Sequence, residues 1–244
     1  LTVIFSHTSE AYRAHLKKSH KNGPADIRQW IEIYSAAKMP EFHEIESIEE
    51  PWANAEIITP ARFLGPITVL VGSIGGIFGE SHALAAERIR IMCEIPLREL
   101  VVDFHDRLKS VSQGFASMSY ERSGYRAGDL VRLDIRVAGE RVASFAEIVK
   151  RDEAERIARG RLEKLKNILP REQFAVALQG EVNGRIIARE TIPAMKKDVT
   201  GYLYGGDRTR KMKLWQKQKK GKKRLKAAGK VDIPADVFLK MIKR

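Results

Sequence analysis

From Leu1 to Lys17 apolar and polar residues alternate, the period of two that puts every second side chain on one face of a strand. After a polar break at Lys21-Asn22-Gly23-Pro24, a second run from Ile27 to Tyr34 can pair with it. A polar, acidic stretch from Met39-Pro40 to Glu49-Glu50-Pro51 interrupts the pattern and predicts a linker over 41–50, with a new domain starting near Pro51. There Ala53 to Thr59 reads as a strand, and Pro60 stands at a helix N-terminus ahead of Phe63, Leu64, Ile67 and Leu70. Ile74 to His82 and Leu84 to Ile95 form a predicted hairpin. Pro96 precedes a helix carrying Leu97, Leu100, Val101, Phe104 and Leu108, and Phe115 to Tyr125 alternates again. The order β-α-β-β-α-β predicts an α+β, ferredoxin-like sandwich with two helices on one face of an antiparallel sheet.

A different pattern follows Gly128. Val131 to Val142 reads as a hairpin turned by Ala138-Gly139-Glu140, and Arg151 to Leu169 as a charged helix. Phe174 to Ile192 forms a second hairpin, whose Asn183-Gly184 is the strongest turn signal in the chain. Pro193 opens a predicted helix toward Tyr204. Gly205-Gly206 then ends it, and Asp207 can cap a final basic helix by accepting from free backbone N–H groups.

Charge changes this picture more than overall composition does. The chain carries 44 Lys and Arg against 31 Asp and Glu, net +13. Residues 196–244 hold 17 of the basic and 4 of the acidic residues, so 27 of each remain for 1–195 and the tail holds the whole excess. A neutral body with a cationic tail predicts a folded scaffold presenting a polyanion-binding element, nucleic acid first, although a solvated lysine-rich face explains many such runs. The apolar run from Ile67 to Ile77 is broken by glycines and falls short of the roughly 20 residues of a membrane span. Cys93 is the only cysteine, so neither a disulfide nor a thiolate cage is expected within one chain, as befits a cytoplasmic protein. The start at Leu1 inside an alternating run predicts that the chain is a fragment.

Candidate chemistry is sparse. No Gly-x4-Gly-Lys-Ser/Thr string occurs, so no phosphate-cradling loop for GTP is expected here. Asp103, His105 and Asp106 are the nearest thing to an acid/base cluster, but they read better as the polar face of a helix beside Leu100, Phe104 and Leu108. His15 and His20 lack a third spaced ligand, and Cys93 falls in a core strand. No catalytic, metal or cofactor residue and no small-molecule substrate is predicted. The RNA-binding candidates are Arg208, Arg210, Lys211, Lys213, Trp215, Lys217, Lys219, Lys220, Lys222, Lys223, Arg224 and Lys226. The cations would meet phosphates, while Trp215 would either stack on an unpaired base or dock on the protein beside Met212 and Leu214. Lysine repulsion and Gly221 argue against a stable isolated helix, predicting a segment that orders on RNA.

Several strings are more specific than their periodicity. Ile45-Glu-Ser-Ile-Glu-Glu-Pro-Trp52, Ile57-Ile-Thr-Pro60, Phe104-His-Asp-Arg-Leu-Lys-Ser-Val111 and Ile186-Ile-Ala-Arg-Glu-Thr-Ile192 recur in the same order as in the LepA, or elongation factor 4, family of translational GTPases. So do Lys197-Asp198-Val199, Tyr204-Gly-Gly-Asp-Arg-Thr-Arg-Lys211, Gln216-Lys-Gln-Lys-Lys-Gly-Lys-Lys-Arg224 and Gly229-Lys-Val-Asp-Ile-Pro234. The resemblance covers most of the chain. Val71-Gly-Ser-Ile-Gly-Gly-Ile-Phe-Gly79 departs from it, being neutral and glycine-rich where the family carries a short basic element.

The resemblance implies that residues 1–40 are the end of a third domain and 51–126 an elongation-factor-G-like fifth domain. It further implies a LepA-type C-terminal domain over 127–206 and a basic RNA-binding tail over 207–244. It implies partners in the ribosome: large-subunit rRNA and the A-site and P-site tRNAs. It places GTP, Mg²⁺ and hydrolysis in an upstream domain of a parent that promotes back-translocation or rescues stalled elongation. Peripheral contact with an anionic membrane, on the inner face of the cell membrane, is the competing expectation, disfavoured because Met212, Leu214, Trp215 and Leu225 make no broad apolar stripe.

Overall fold

The computed structural model describes residues 11–17, 30–84, 87–195, 199–200, 208–228 and 231–242. The chain divides between Asp129 and Leu130 into two compact units.

The first unit is built on one long strand. β1 (Tyr12–Leu16) and β2 (Trp30–Ile33) pair antiparallel, Tyr12 opposite Ile33, as the alternation over those residues predicts. The alternation before Ala11, the break at 21–24 and His20 lie outside the described residues. β3 runs without interruption from Ile45 to Pro60, so the expected linker over 41–50 is in its second half strand. Three glutamates masked it. Ile45 and Ile48 are buried, and so is Glu50, whose carboxylate lies 3.4 Å from the Arg98 guanidinium. One edge of β3 pairs with β1 up to Glu49 and with β5 from Trp52. Pro51, with no N–H to donate, sits where the partner changes.

After β3, a 3-10 turn at Ala61–Phe63 enters α1 (Leu64–Ser73). The glycine-rich stretch beyond it is a helix stop: Gly75 adopts φ 74°, its N–H donates to Gly72 O and that of Gly76 to Val71 O, the paired bonds of a Schellman end. A Cβ on Gly76 would lie 2.8 Å from a Val71 methyl. β4 (Ile77–Ala83) and β5 (Arg88–Pro96) make the predicted hairpin. The second helix is α2 (Leu97–Glu99), a π-helical turn (Leu100–Phe104) and α3 (His105–Val111). Leu97, Leu100, Phe104 and Leu108 are buried, whereas Val101, expected inward, lies in the π-helical turn and is exposed. β6 (Ser117–Gly128) pairs along the other edge of β3. The sheet order β6-β3-β5-β4, with β1 and β2 extending it, is the ferredoxin-like arrangement. Ala53, Ala55, Ile57, Ile91, Cys93 and Ile95 face the helices across one core. On β1 the Arg13 guanidinium lies between two rings, 4.3 Å from Trp30 and 3.7 Å from Tyr125, and so ties β1 to β2 and β6.

The second unit has a five-stranded sheet, β7 (Leu130–Val137), β8 (Glu140–Arg141), β9 (Glu147–Lys150), β10 (Val176–Val182) and β11 (Arg185–Ile192). Both predicted turns have paired positive φ values, at Ala138 and Gly139 and at Asn183 and Gly184. β9, which the sequence reading missed because four residues carry too little alternation, returns beside β7. α4 (Ala154–Ile168) lays Ala154, Ala158, Leu162 and Leu165 on Leu133, Ile135, Val176 and Leu178. It comes close because Gly180 lies beneath Ala158: a Cβ there would sit 2.9 Å from that of Ala158.

Two expectations change here. Pro193–Met195 and Val199–Thr200 are not helical, and the rest of the helix predicted from Pro193 to Tyr204, with Gly205-Gly206 and Asp207, lies outside the described residues. The stretch over 207–244, read as one basic tail, contains two helices, α5 (Arg208–Ala228) and α6 (Ala235–Ile242). α6 belongs to the core: Val237 and Met241, spaced i,i+4, are buried with the α4 residues, and Phe238 meets Phe145 at 5.0 Å.

Candidate nucleic-acid interface

α5 spans 21 residues, about 31 Å of helix, and includes 11 Lys or Arg and no Asp or Glu. The sequence argues against it through like charges at i,i+4, such as Lys213 with Lys217 and Lys219 with Lys223, each worth a few tenths of a kcal/mol. Two things oppose that repulsion. Apart from Thr209, Trp215 and Gly221, the segment is Arg, Lys, Met, Leu, Gln and Ala, all good helix formers. It also has an inner face, where Lys211, Leu214, Gln218 and Lys222 are half-buried at helical spacing and Lys222 Nζ donates to the Met195 carbonyl at 2.5 Å.

That contact sorts the predicted site residues. Arg208, Arg210, Lys213, Trp215, Lys217, Lys219, Lys220, Lys223 and Arg224 are exposed, Lys211 and Lys222 face inward, and for Lys226 the helix backbone alone is described. Lys222 is therefore a tether as well as a cation. Lys213, Lys217, Lys220, Lys223 and Arg224 lie on the side of the helix away from the half-buried stripe. They form a cationic ridge.

The contrast with other basic residues of this unit is chemical. On α4, Arg161 makes a forked pair with Glu147 at 3.0 to 3.2 Å, Lys166 reaches Glu190 at 2.8 Å, and Arg159 pairs with Glu155 one turn away. Lys164 and Arg161 both donate to the Met241 carbonyl, 3.4 Å away, in the last turn of α6, where the helix dipole favours cations. Glu190 is held below the usual carboxylate range by the hydrogen bond and charge of Lys166. The alternation along β7 also hid an ion cluster: Glu181, 3% exposed, lies between Arg141 and Arg136, the latter at 2.6 Å, and Asp134 lies 3.0 Å from Arg132 and 3.7 Å from Arg141. Each of these arginines has a carboxylate partner where it stands.

The other candidates show no assembled chemistry. Asp103, His105 and Asp106 are exposed side by side, with 3.8 Å between His105 Nδ1 and the Asp106 carboxylate. His15 Nε2 lies 3.2 Å from Glu49. Cys93 is buried, its thiol pushed up to about 11 by desolvation, which keeps it protonated and unreactive. Among the described residues no three His, Cys, Asp or Glu side chains gather as a metal site, and no helix is long and apolar enough to cross a membrane.

Both units match known families. Residues 47–136 match the family described as elongation factor G C-terminus, and residues 137–243 the family described as GTP-binding protein LepA C-terminus. The chain belongs to the elongation factor 4 family. It is 45% identical over 215 residues to elongation factor 4 of Campylobacter curvus, covering 88% of this chain, and 41% identical over 245 aligned residues to that of Sulfurimonas denitrificans, covering 100%. It spans 36% and 39% of those two relatives' lengths. The two elongation factor families meet at 136/137, within β7, whereas the structure divides at Asp129 and Leu130. The structural division is the better physical boundary, since all of β7 pairs within the second sheet.

Proposed function

We propose that this chain is the ribosome- and tRNA-contacting module of an elongation factor 4-type translation factor, and that α5 is the element that reaches RNA. The observation that supports this reading is the ridge of cations on α5 with no carboxylate in the helix, beside an α4 whose cations are paired internally. Each cation placed on a phosphate releases condensed counterions, giving sequence-independent affinity, while the two folded units supply shape for register on large-subunit rRNA and the A-site and P-site tRNAs. The module's contribution is recognition. Hydrolysis of GTP, with its Mg²⁺, is assigned to the family's GTPase domain, and back-translocation or rescue of stalled elongation to the whole factor. The working compartment would be the cytoplasm.

Cosedimentation with 70S ribosomes across a salt series tests the reading, comparing the full chain with K213Q/K217Q/K220Q/K223Q/R224Q. If all five cations sit on phosphates, the slope of log K against log salt falls by about 3.5 for single-stranded RNA and about 4.5 for duplex. An unchanged slope would remove α5 from the interface. Salt-sensitive binding to phosphatidylserine vesicles with none to ribosomes would replace the reading with a membrane one.

A further inference from the structure

The five outward cations read phosphate, which every RNA offers; a second stripe on α5 offers something phosphate does not use. Arg208, Met212, Trp215 and Lys219 follow one another at i, i+4, i+7 and i+11, on one side of the helix, and all four are exposed. Trp215 is 54% exposed and Met212 49%, next to but outside the half-buried inner face. The remaining tryptophans are used internally, Trp30 with Arg13 at 4.3 Å and Trp52 with Arg126 at 4.5 Å over their rings. Among the described residues no cation or second ring covers Trp215. Just over half of this indole is left open to a partner from outside the chain. An apolar pair this exposed, held on a helix without a carboxylate and flanked along its axis by Arg208 and Lys219, fits a ligand that has a flat apolar face and a charged backbone on either side of it.

We infer that Trp215 and Met212 form a stacking shelf for an unpaired nucleotide, so that α5 selects single-stranded or unpaired RNA over continuous duplex. The inference rests on the proposed RNA role of α5 and narrows it to a substrate class. In a duplex the base faces are already stacked on one another, and exposing one costs a few kcal/mol before an indole gains anything. In a single strand each base has a free face, and stacking on an aromatic side chain adds affinity that depends little on salt, unlike the phosphate contacts beside it. Met212, one turn from the indole, extends the shelf with a polarizable, adaptable thioether.

The test uses the full chain, W215A and W215F, with oligouridylate, a blunt-ended RNA duplex of equal phosphate count and inorganic polyphosphate as ligands over a salt series. W215A should weaken oligouridylate binding roughly tenfold at every salt with the slope unchanged, and W215F, which keeps a flat ring, by about threefold or less. Duplex binding should change less, and polyphosphate binding not at all. Equal affinity of W215A and the parent chain for oligouridylate overturns the inference, as does an equal loss for polyphosphate, which would mean that the substitution disturbs the helix. If the five-glutamine variant loses RNA and W215A does not, the shelf falls and the RNA role stands. If the parent chain binds neither RNA, both fall. Loss of binding to anionic vesicles by W215A with RNA affinity intact assigns the shelf to lipid instead.

Discussion

α4 and α5 are both rich in Lys and Arg, and they behave as different objects. α4 places acids among its bases and alanines and leucines along one face. Its cations end on Glu147, Glu153, Glu155, Glu190 and the Met241 carbonyl, and its apolar stripe becomes the centre of the second unit. α5 has no acid, and its inner stripe of Lys211, Leu214, Gln218 and Lys222 is half-buried rather than buried. Counting charge cannot separate the two helices. What separates them is whether the helix itself carries acids among its bases and a buried apolar stripe.

The contrast can be broken most severely at the core. Leu162→Ala, which empties a fully buried site on α4, should cost about 3 kcal/mol in urea unfolding, whereas Leu214→Ala on α5 should cost less than about 1 kcal/mol. Comparable losses would mean that α5 is as structural as α4. A smaller effect is expected at Arg161, which joins α4 to both β9 and α6. Arg161→Ala should cost about 1 kcal/mol, given its partial exposure, and leave the salt dependence of ribosome binding unchanged. The smallest effect sharpens the comparison at one carboxylate. Glu190 has a folded pKa below its unfolded one, so the stability from its pairing with Lys166 is present above the ordinary carboxylate range and is lost as the pH falls through the depressed value. Lys166→Met should return Glu190 to the ordinary range in a side-chain NMR titration, and a titration curve that does not move would show that Lys166 is not the cause.

Much of this could be read without coordinates because its causes are local. Asn183-Gly184 supplies the positive φ values that a two-residue hairpin requires, and the helix-spaced apolar residues from Phe63 to Leu70 and from Leu97 to Leu108 set the sandwich. The linker reading failed because Glu46, Glu49 and Glu50 outweighed Ile45 and Ile48 in a short window. Only the opposing strands and Arg98 make Glu50 an interior residue.

The sequence by itself determined the order of elements in the ferredoxin-like sandwich, the two hairpin turns of the second unit, the confinement of excess charge to the last fifth of the chain and the family. Each depends on neighbours within a few residues or on motif order. Tertiary structure alone decided that Val237 and Met241 return to the α4 core, that Lys222 turns inward to Met195 while Lys223 faces out, and that Trp215 stays about half exposed. Those outcomes depend on which surfaces meet across tens of residues, and no local window contains both partners.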